Sequence, residues 1–228
     1  MTMGQHASLL RLFQLTSQSL PVGSFAYSQG LESAVEESFV TNEEALLDWT
    51  NSQLQHCIGR VDLPMLSRLI DAVATEDHVR EVSLTRNLVA MRETRELRDD
   101  DLQRGRALKR LLEQLGYVLG GTDTEESAEI WPFARATAHA VSEWQLPVTD
   151  SIAAYAWSWV ENQILAGVKL IPLGQVAGQR LLLDLAARIP QVCETALGLE
   201  DDQLGGTLPI VAILSARHET QYSRLFRS

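Results

Sequence analysis

The sequence predicts a single all-α domain over residues 1–228, a bundle of about eight to ten helices. Three observations carry this. Apolar residues recur three and four positions apart along most of the chain, the spacing that gathers them on one helix face. The one strand-like stretch, Leu208 to Leu214, contains Pro209, which lacks the backbone N–H that a sheet ladder needs. No repeat of fixed period and no low-complexity linker divides the 228 residues, enough chain to bury a substantial core.

Each element has its own signal. His6 to Leu20 carries Leu9, Leu10, Leu12, Phe13 and Leu20 at helical spacing, and Pro21 and Gly23 then impose a turn after which Ser24 can cap a helix. Thr41 or Asn42 stands as an N-cap before Glu43, Glu44, Leu46, Leu47 and Trp49, giving a helix to about Cys57. Asp62-Leu63-Pro64 marks a fresh start, with Met65, Leu66, Leu69, Ile70 and Val73 turned inward. Val79 to Leu97 reads as one helix through Leu84, Leu88 and Met91, and Leu102 to Leu119 as another, stopped by Gly120-Gly121. The acidic stretch 122–127 reads as a loop. Ile130 to Trp144 is an alanine-rich helix ending near Pro147. Thr149 or Asp150 caps the next, whose Ile152, Tyr155, Ala156, Trp159, Val160, Ile164 and Val168 form a wide apolar face and make it central. Pro172 and Gly174 break it before a segment carrying Leu181, Leu182, Leu185 and Ile189, closed by Pro190. The run 215–228 is helical in spacing, with His218, Tyr222, Leu225 and Phe226 on one side, and 217–228 reads as a partner-docking tail.

Composition excludes several functions. Nineteen Lys and Arg against thirty Asp and Glu give a net charge of −11, which disfavours nucleic acid and anionic membranes as partners. The start has no basic region leading into an apolar one, and polar residues interrupt 12–31, so neither a signal peptide nor a membrane span is expected and the location reads as cytoplasmic. Cys57 and Cys193 read as two reduced, buried thiols. No GxxxxGK[ST] cradle for phosphates and no GxSxG serine elbow occurs. His218-Glu219 begins like HExxH, but Tyr222 takes the place of the second histidine, and His56 with Cys57 would point about 100° apart on a helix, so no metal site is expected. His139 reads as a satisfied core histidine.

Four dense polar or glycine-bearing segments remain. Residues 19–32 place Tyr27 and Glu32 beside a constrained turn. Residues 86–110 hold eight basic and five acidic side chains in an otherwise acidic chain; Arg92 with Glu96 and Arg95 with Asp99 satisfy i, i+4 pairing, so a solvated charged face competes with a partner site at Arg92 and Glu93. Residues 167–180 set Lys169 in an apolar run before the Pro172 kink, where it must snorkel, pair or face a partner. The last segment holds His218, Glu219, Tyr222, Arg224, Leu225 and Phe226, rich in the aromatic and arginine types that dominate interfaces.

At these segments the chain resembles the UreF family of urease accessory proteins. The family's Leu-Pro-Val-Gly turn and Ser-x-Gly-Leu-Glu stretch stand here as Leu20-Pro21-Val22-Gly23 and Ser28-Gln29-Gly30-Leu31-Glu32. The Arg-Glu-Thr-Arg-Glu-Leu-Arg run from Arg92, the Val-Lys-Leu-Ile-Pro-Leu-Gly-Gln run from Val168 and the ending from Arg217 to Ser228 match too, in the same order. Departures are Ser24, where a second glycine is common, and Ala26, where serine is common; both stiffen the turn. The resemblance implies an all-helical, non-catalytic protein that joins UreD (also called UreH) and the GTPase UreG on apo-urease, commonly as a dimer. It implies nickel as the cargo of the complex rather than a cofactor of this chain, and the residues named above are the partner contacts expected from their charge, aromatic content and constrained backbone. A helical enzyme using His218, Glu219 and Lys169 is the competing class.

Overall fold

A computed structural model describes residues 3–119 and 130–228; the Gly120-Gly121 stop and the 122–127 loop lie outside the described residues. Eleven α-helical segments run in order: α1 (Met3–Thr16), α2 (Leu31–Glu36), α3 (Glu43–Gln53), α4 (Leu63–Ala74), α5 (His78–Ala90), α6 (Arg95–Gln114), α7 (Phe133–Glu143), α8 (Val148–Leu170), α9 (Gln175–Ala186), α10 (Ile189–Leu197) and α11 (Pro209–His218). A π-helical stretch, Leu54–Asp62, joins α3 to α4 without a break. Counting that run as one, and α9 with α10 as one, gives nine helices among the described residues, and no strand.

Several boundaries differ from the periodicity. The start expected at Asp62-Leu63-Pro64 is internal, because the wider π turn carries the helix through and proline in the first turn of α4 has no N–H to lose. The single helix expected over Val79 to Leu97 is two. The chain leaves helix at Met91, and Thr94 accepts a hydrogen bond from Leu97 N at 3.2 Å to cap α6. Asn42 and Asp77 cap α3 and α5 in the same way. Neither Thr149 nor Asp150 caps α8, which begins at Val148 behind Pro147. Pro190 starts α10 instead of closing a helix, and Pro209 starts α11 where a weak strand competed. The spacing expected to continue as helix to 228 ends at His218; the last ten residues are turns.

Helix α8 is the axis, packed against α1, α2, α3, α4, α9 and α10. Its Ile152, Ala156, Val160 and Ile164 are buried, as their spacing requires. Gly167 lets α3 cross it closely, since a Cβ there would strike the Leu46 side chain. Helices α6 and α7 meet at Gly105, where a Cβ would overlap the Trp131 carbonyl oxygen and the Pro132 backbone.

A buried ionic cluster ties α5 to α7. Glu81 accepts from Arg135 Nε at 2.6 Å and bonds His139 Nε2 at 2.8 Å, while Arg135 lies 4.1 Å and Lys109 4.6 Å from the Trp131 ring centroid. Burial pushes the Glu81 carboxyl up, but the His139 hydrogen bond and the Arg135 charge outweigh it and hold its pKa at about 2.

Two outcomes are expected. Gly105→Ala forces two backbones apart and lowers stability by about 3 kcal/mol, read as a reduced urea midpoint. Glu81 titrates lower folded than its ordinary 4.5, so its contribution is complete above that value and is lost as pH falls towards about 2. Glu81→Gln should remove on the order of 3 kcal/mol at neutral pH and flatten that acid limb of the stability curve.

Candidate functional site

Two polar centres, linked by one loop, hold most of the residues that the sequence singles out. The first is built on Arg92, in the non-helical link between α5 and α6. Its Nη1 and Nη2 donate to Asp62 at 3.1 and 2.6 Å, and its Nε and Nη2 lie 2.9 and 2.8 Å from Asp101 Oδ2. Asp101 also accepts from Phe133 N, at the start of α7, at 2.9 Å, and Tyr155 of α8 donates to Asp62 at 3.2 Å. Burial opposes the Arg92 charge, but Asp101 and Asp62 outweigh it and hold the guanidinium far above its ordinary pKa. Burial, then the same two carboxylates, push the Tyr155 phenol well above its own. A cavity of about 60 Å³ lies beside this centre, lined by Gln53, Cys57, Arg92, Asp101 and Tyr155 among others. Burial holds the Cys57 thiol at about 12 and the Cys193 thiol at about 11, so neither is a ready nucleophile. Both cysteines are free; Cys193 is buried as expected, whereas Cys57 is only half-buried.

The second centre holds the C-terminal segment. Glu32, in the first turn of α2, is buried and accepts from Leu225 N at 2.6 Å and Phe226 N at 2.8 Å. His218, with no exposed surface, stands between two carboxylates: Nε2 lies 3.1 Å from Glu32 and Nδ1 2.8 Å from Glu96. Arg224 donates to the other Glu96 oxygen at 3.2 Å. Burial raises the Glu96 pKa, a shift that the His218 hydrogen bond opposes. Phe226 is buried, with Lys169 Nζ 5.8 Å from its ring centroid. The backbone oxygen of Ser228 accepts from Ser28 N at 2.6 Å, Gln29 N at 3.0 Å and Ser28 Oγ at 2.6 Å.

The loop that receives Ser228 links the centres. Gln29 and Gly30 adopt positive φ of 54° and 85°, which turns the chain sharply into α2. The Gln29 side chain accepts from Trp159 Nε1 at 2.7 Å and donates to Asp100 at 2.6 Å, and Asp100 holds Arg104 Nε at 2.5 Å.

Among the residues expected to meet partners, the structure gathers Glu32, Lys169, His218, Arg224, Leu225 and Phe226 around the tail. Glu32, His218 and Phe226 face inward and are engaged within the chain. Tyr27 is buried and donates to Gln103 at 2.6 Å. Arg92 belongs to the first centre, and exposed Glu93 beside it accepts from Thr207 Oγ1. Tyr222, Leu225, Arg224 and Lys169 reach solvent, and half-buried Glu219 lies 3.9 Å from Arg95. The Arg92–Glu96 pair that helical spacing suggests does not form, because the helix breaks between them; Arg95–Asp99 does form, exposed and 3.9 Å apart. Spacing gave no sign of Asp62, Glu96, Asp100 and Asp101 as interior carboxylates. His139 is the satisfied core histidine expected. Among the described residues no group of three or more His, Cys, Asp or Glu is arranged to hold a metal ion, and no helix is long and apolar enough to cross a membrane.

The model of the UreF family matches residues 40–186. The urease accessory protein UreF of Alkalilimnicola ehrlichii is 45% identical over 218 residues, covering 96% of this chain and 95% of that one. UreF of Pseudomonas putida is 45% identical over 228 residues, 99% of this chain and 100% of its own, and UreF of an Azoarcus species 43% over 223, 96% and 95%.

The geometry makes Phe226 part of the fold. Phe226→Ala should cost about 3 kcal/mol in urea denaturation, as for other buried phenylalanines, whereas Tyr222→Ala should stay within about 0.5 kcal/mol of the parent. Equal midpoints for the two variants would return the tail to a role outside the monomer.

Proposed function

The chain belongs to the UreF family of urease accessory proteins, and on that premise we propose that it is a non-catalytic scaffold for urease maturation, bridging UreD (UreH) and the GTPase UreG on apo-urease while nickel, the cargo, is inserted. The observation that carries this reading is the clamped C-terminal segment. Its backbone is fixed by Glu32 and Ser28, yet Tyr222 and Leu225 are turned to solvent, 105% and 67% exposed. An ordered backbone presenting an aromatic and an aliphatic side chain is already organised for a partner and loses little entropy on binding. Lys169 and Arg224, exposed beside them, supply charges for the rim.

The same geometry weighs against a helical enzyme built on His218, Glu219 and Lys169. His218 has both ring nitrogens engaged and no accessible surface, so no substrate atom reaches it. In our reading Glu32 and His218 position the tail, while Tyr222, Leu225, Arg224, Lys169, Glu219 and Glu93 make the contacts. The working protein is cytoplasmic and pairs with a second copy, so that two of each partner assemble.

Reconstitution with purified UreD, UreG and apo-urease tests this. Tyr222→Ala with Leu225→Ala should weaken assembly, read by mass in solution, at least about tenfold and lower the nickel content of matured urease, with thermal unfolding unchanged. Parental assembly and nickel content in that variant would overturn the assignment of this surface.

A further inference from the structure

Away from both polar centres, the π-helical stretch and α10 diverge to form a cleft of about 530 Å³. Its charged side chains are Arg60 and Arg188, joined by His56, and its neutral polar ones Gln55, Gln191 and Thr195; no carboxylate lines it. In a chain of net charge −11 this is a local reversal of sign. His56 is exposed and Arg188 half-buried, and among the described residues neither side chain has an ion-pair partner. Arg60 is held in place: its Nε donates to Gly205 O at 3.1 Å and its Nη2 to Gln203 O at 3.0 Å.

The floor of the cleft is closely packed. Gly59 lies where the π-helical stretch meets α10, and a Cβ there would lie 2.7 Å from Val192 Cγ1. Gly206 rests on the His56 carbonyl, which a Cβ would overlap. Gly59 therefore lets the π-helical stretch lie close against α10, and Gly206 lets the loop before α11 lie close against that same stretch, while the rim carries long polar side chains. The nine residues of π-helix supply the wide turn that puts His56 and Arg60 on that rim, and π geometry is rare enough that it clusters at functional sites.

We propose that this cleft docks an acidic segment of a partner protein, whose carboxylates lie against Arg188, Arg60 and His56. The occupant follows from charge: a cleft of this volume with basic side chains on two elements and no competing carboxylate fits successive Asp or Glu side chains of one chain. Arg60, already oriented by two backbone carbonyls, loses little freedom when it engages a carboxylate. This surface is independent of the tail and its partners, so it stands or falls apart from the scaffold reading.

The probe is a fluorescein-labelled octaglutamate peptide titrated with the full chain and read by fluorescence anisotropy. Binding that weakens as salt rises, falls at least about tenfold in the His56→Glu/Arg188→Glu variant and is unchanged in Arg98→Glu, an exposed arginine outside the cleft, is the expected result. Circular dichroism melts check that each variant is folded, and His56→Gln/Arg188→Gln replaces the reversal if it is not. Peptide binding equal in the parent and the cleft variant, or lost equally in Arg98→Glu, would overturn the proposal. Full displacement by inorganic phosphate at matched charge would assign a small-anion site instead and overturn it as well.

Discussion

The guanidinium of Arg92 is the constraint on which the arrangement of α4 to α8 depends. Two aspartates, one closing the π-helical stretch and one on α6, share it, and each is fixed by a further element, Asp62 by Tyr155 and Asp101 by the amide that opens α7. Removing one partner of such a centre strands a charge in a largely dry place, which costs about 3–5 kcal/mol, more than most apolar contacts return. A network of this kind contributes less to net stability than its number of bonds suggests. What it does is reject alternatives: a helix rotated by one position would leave a carboxylate unpaired. The link between α5 and α6 is non-helical at the residue whose side chain reaches both carboxylates.

The helical class and the central place of α8 were legible because burial follows a period, and the period is written in residues such as Ile152, Ala156, Val160 and Ile164. The joins were less so. Met91 continues the apolar spacing of α5, and nothing local shows that Thr94 will cap a new helix; the break is repaid by contacts from residues 30 positions away. Pro190 was read as a stop and Pro209 as a mark against a strand, although proline serves equally at a helix's first turn. Choosing between those roles requires knowing what the flanking chain packs against.

The candidate site was half legible. Glu32, Lys169, His218 and Phe226 stand in the segments that stood out, and they do converge. Their orientation did not follow, because a charged residue at a helix start looks the same in a sequence whether it faces solvent or two backbone amides. The carboxylates of α6 illustrate the reverse error. Asp99, Asp100 and Asp101 read as one solvated run, yet Asp99 is exposed while its two neighbours are among the least accessible residues of the chain. All three lie within one helical turn, and a rotation of about 100° per residue separates the two environments.

The bond between Ser28 and Ser228 spans 200 positions, and that distance has a consequence for how the molecule is made. Loop-closure entropy grows slowly with length, by about 0.6 kcal/mol per doubling, so so long a loop is thermodynamically tolerable. The kinetic side is different, because a chain emerging from the ribosome presents Ser28 and Glu32 long before Leu225, Phe226 and Ser228, which they bond, exist. In that interval the Gln29 side chain can reach Asp100 and Trp159, but its backbone N–H and that of Ser28 still lack the Ser228 oxygen, and the face that will receive Phe226 is wet. The bonds that seat the C-terminal segment therefore form last, and a nascent chain stalled a few residues short is a distinct species, still open along the seam between α2 and α8.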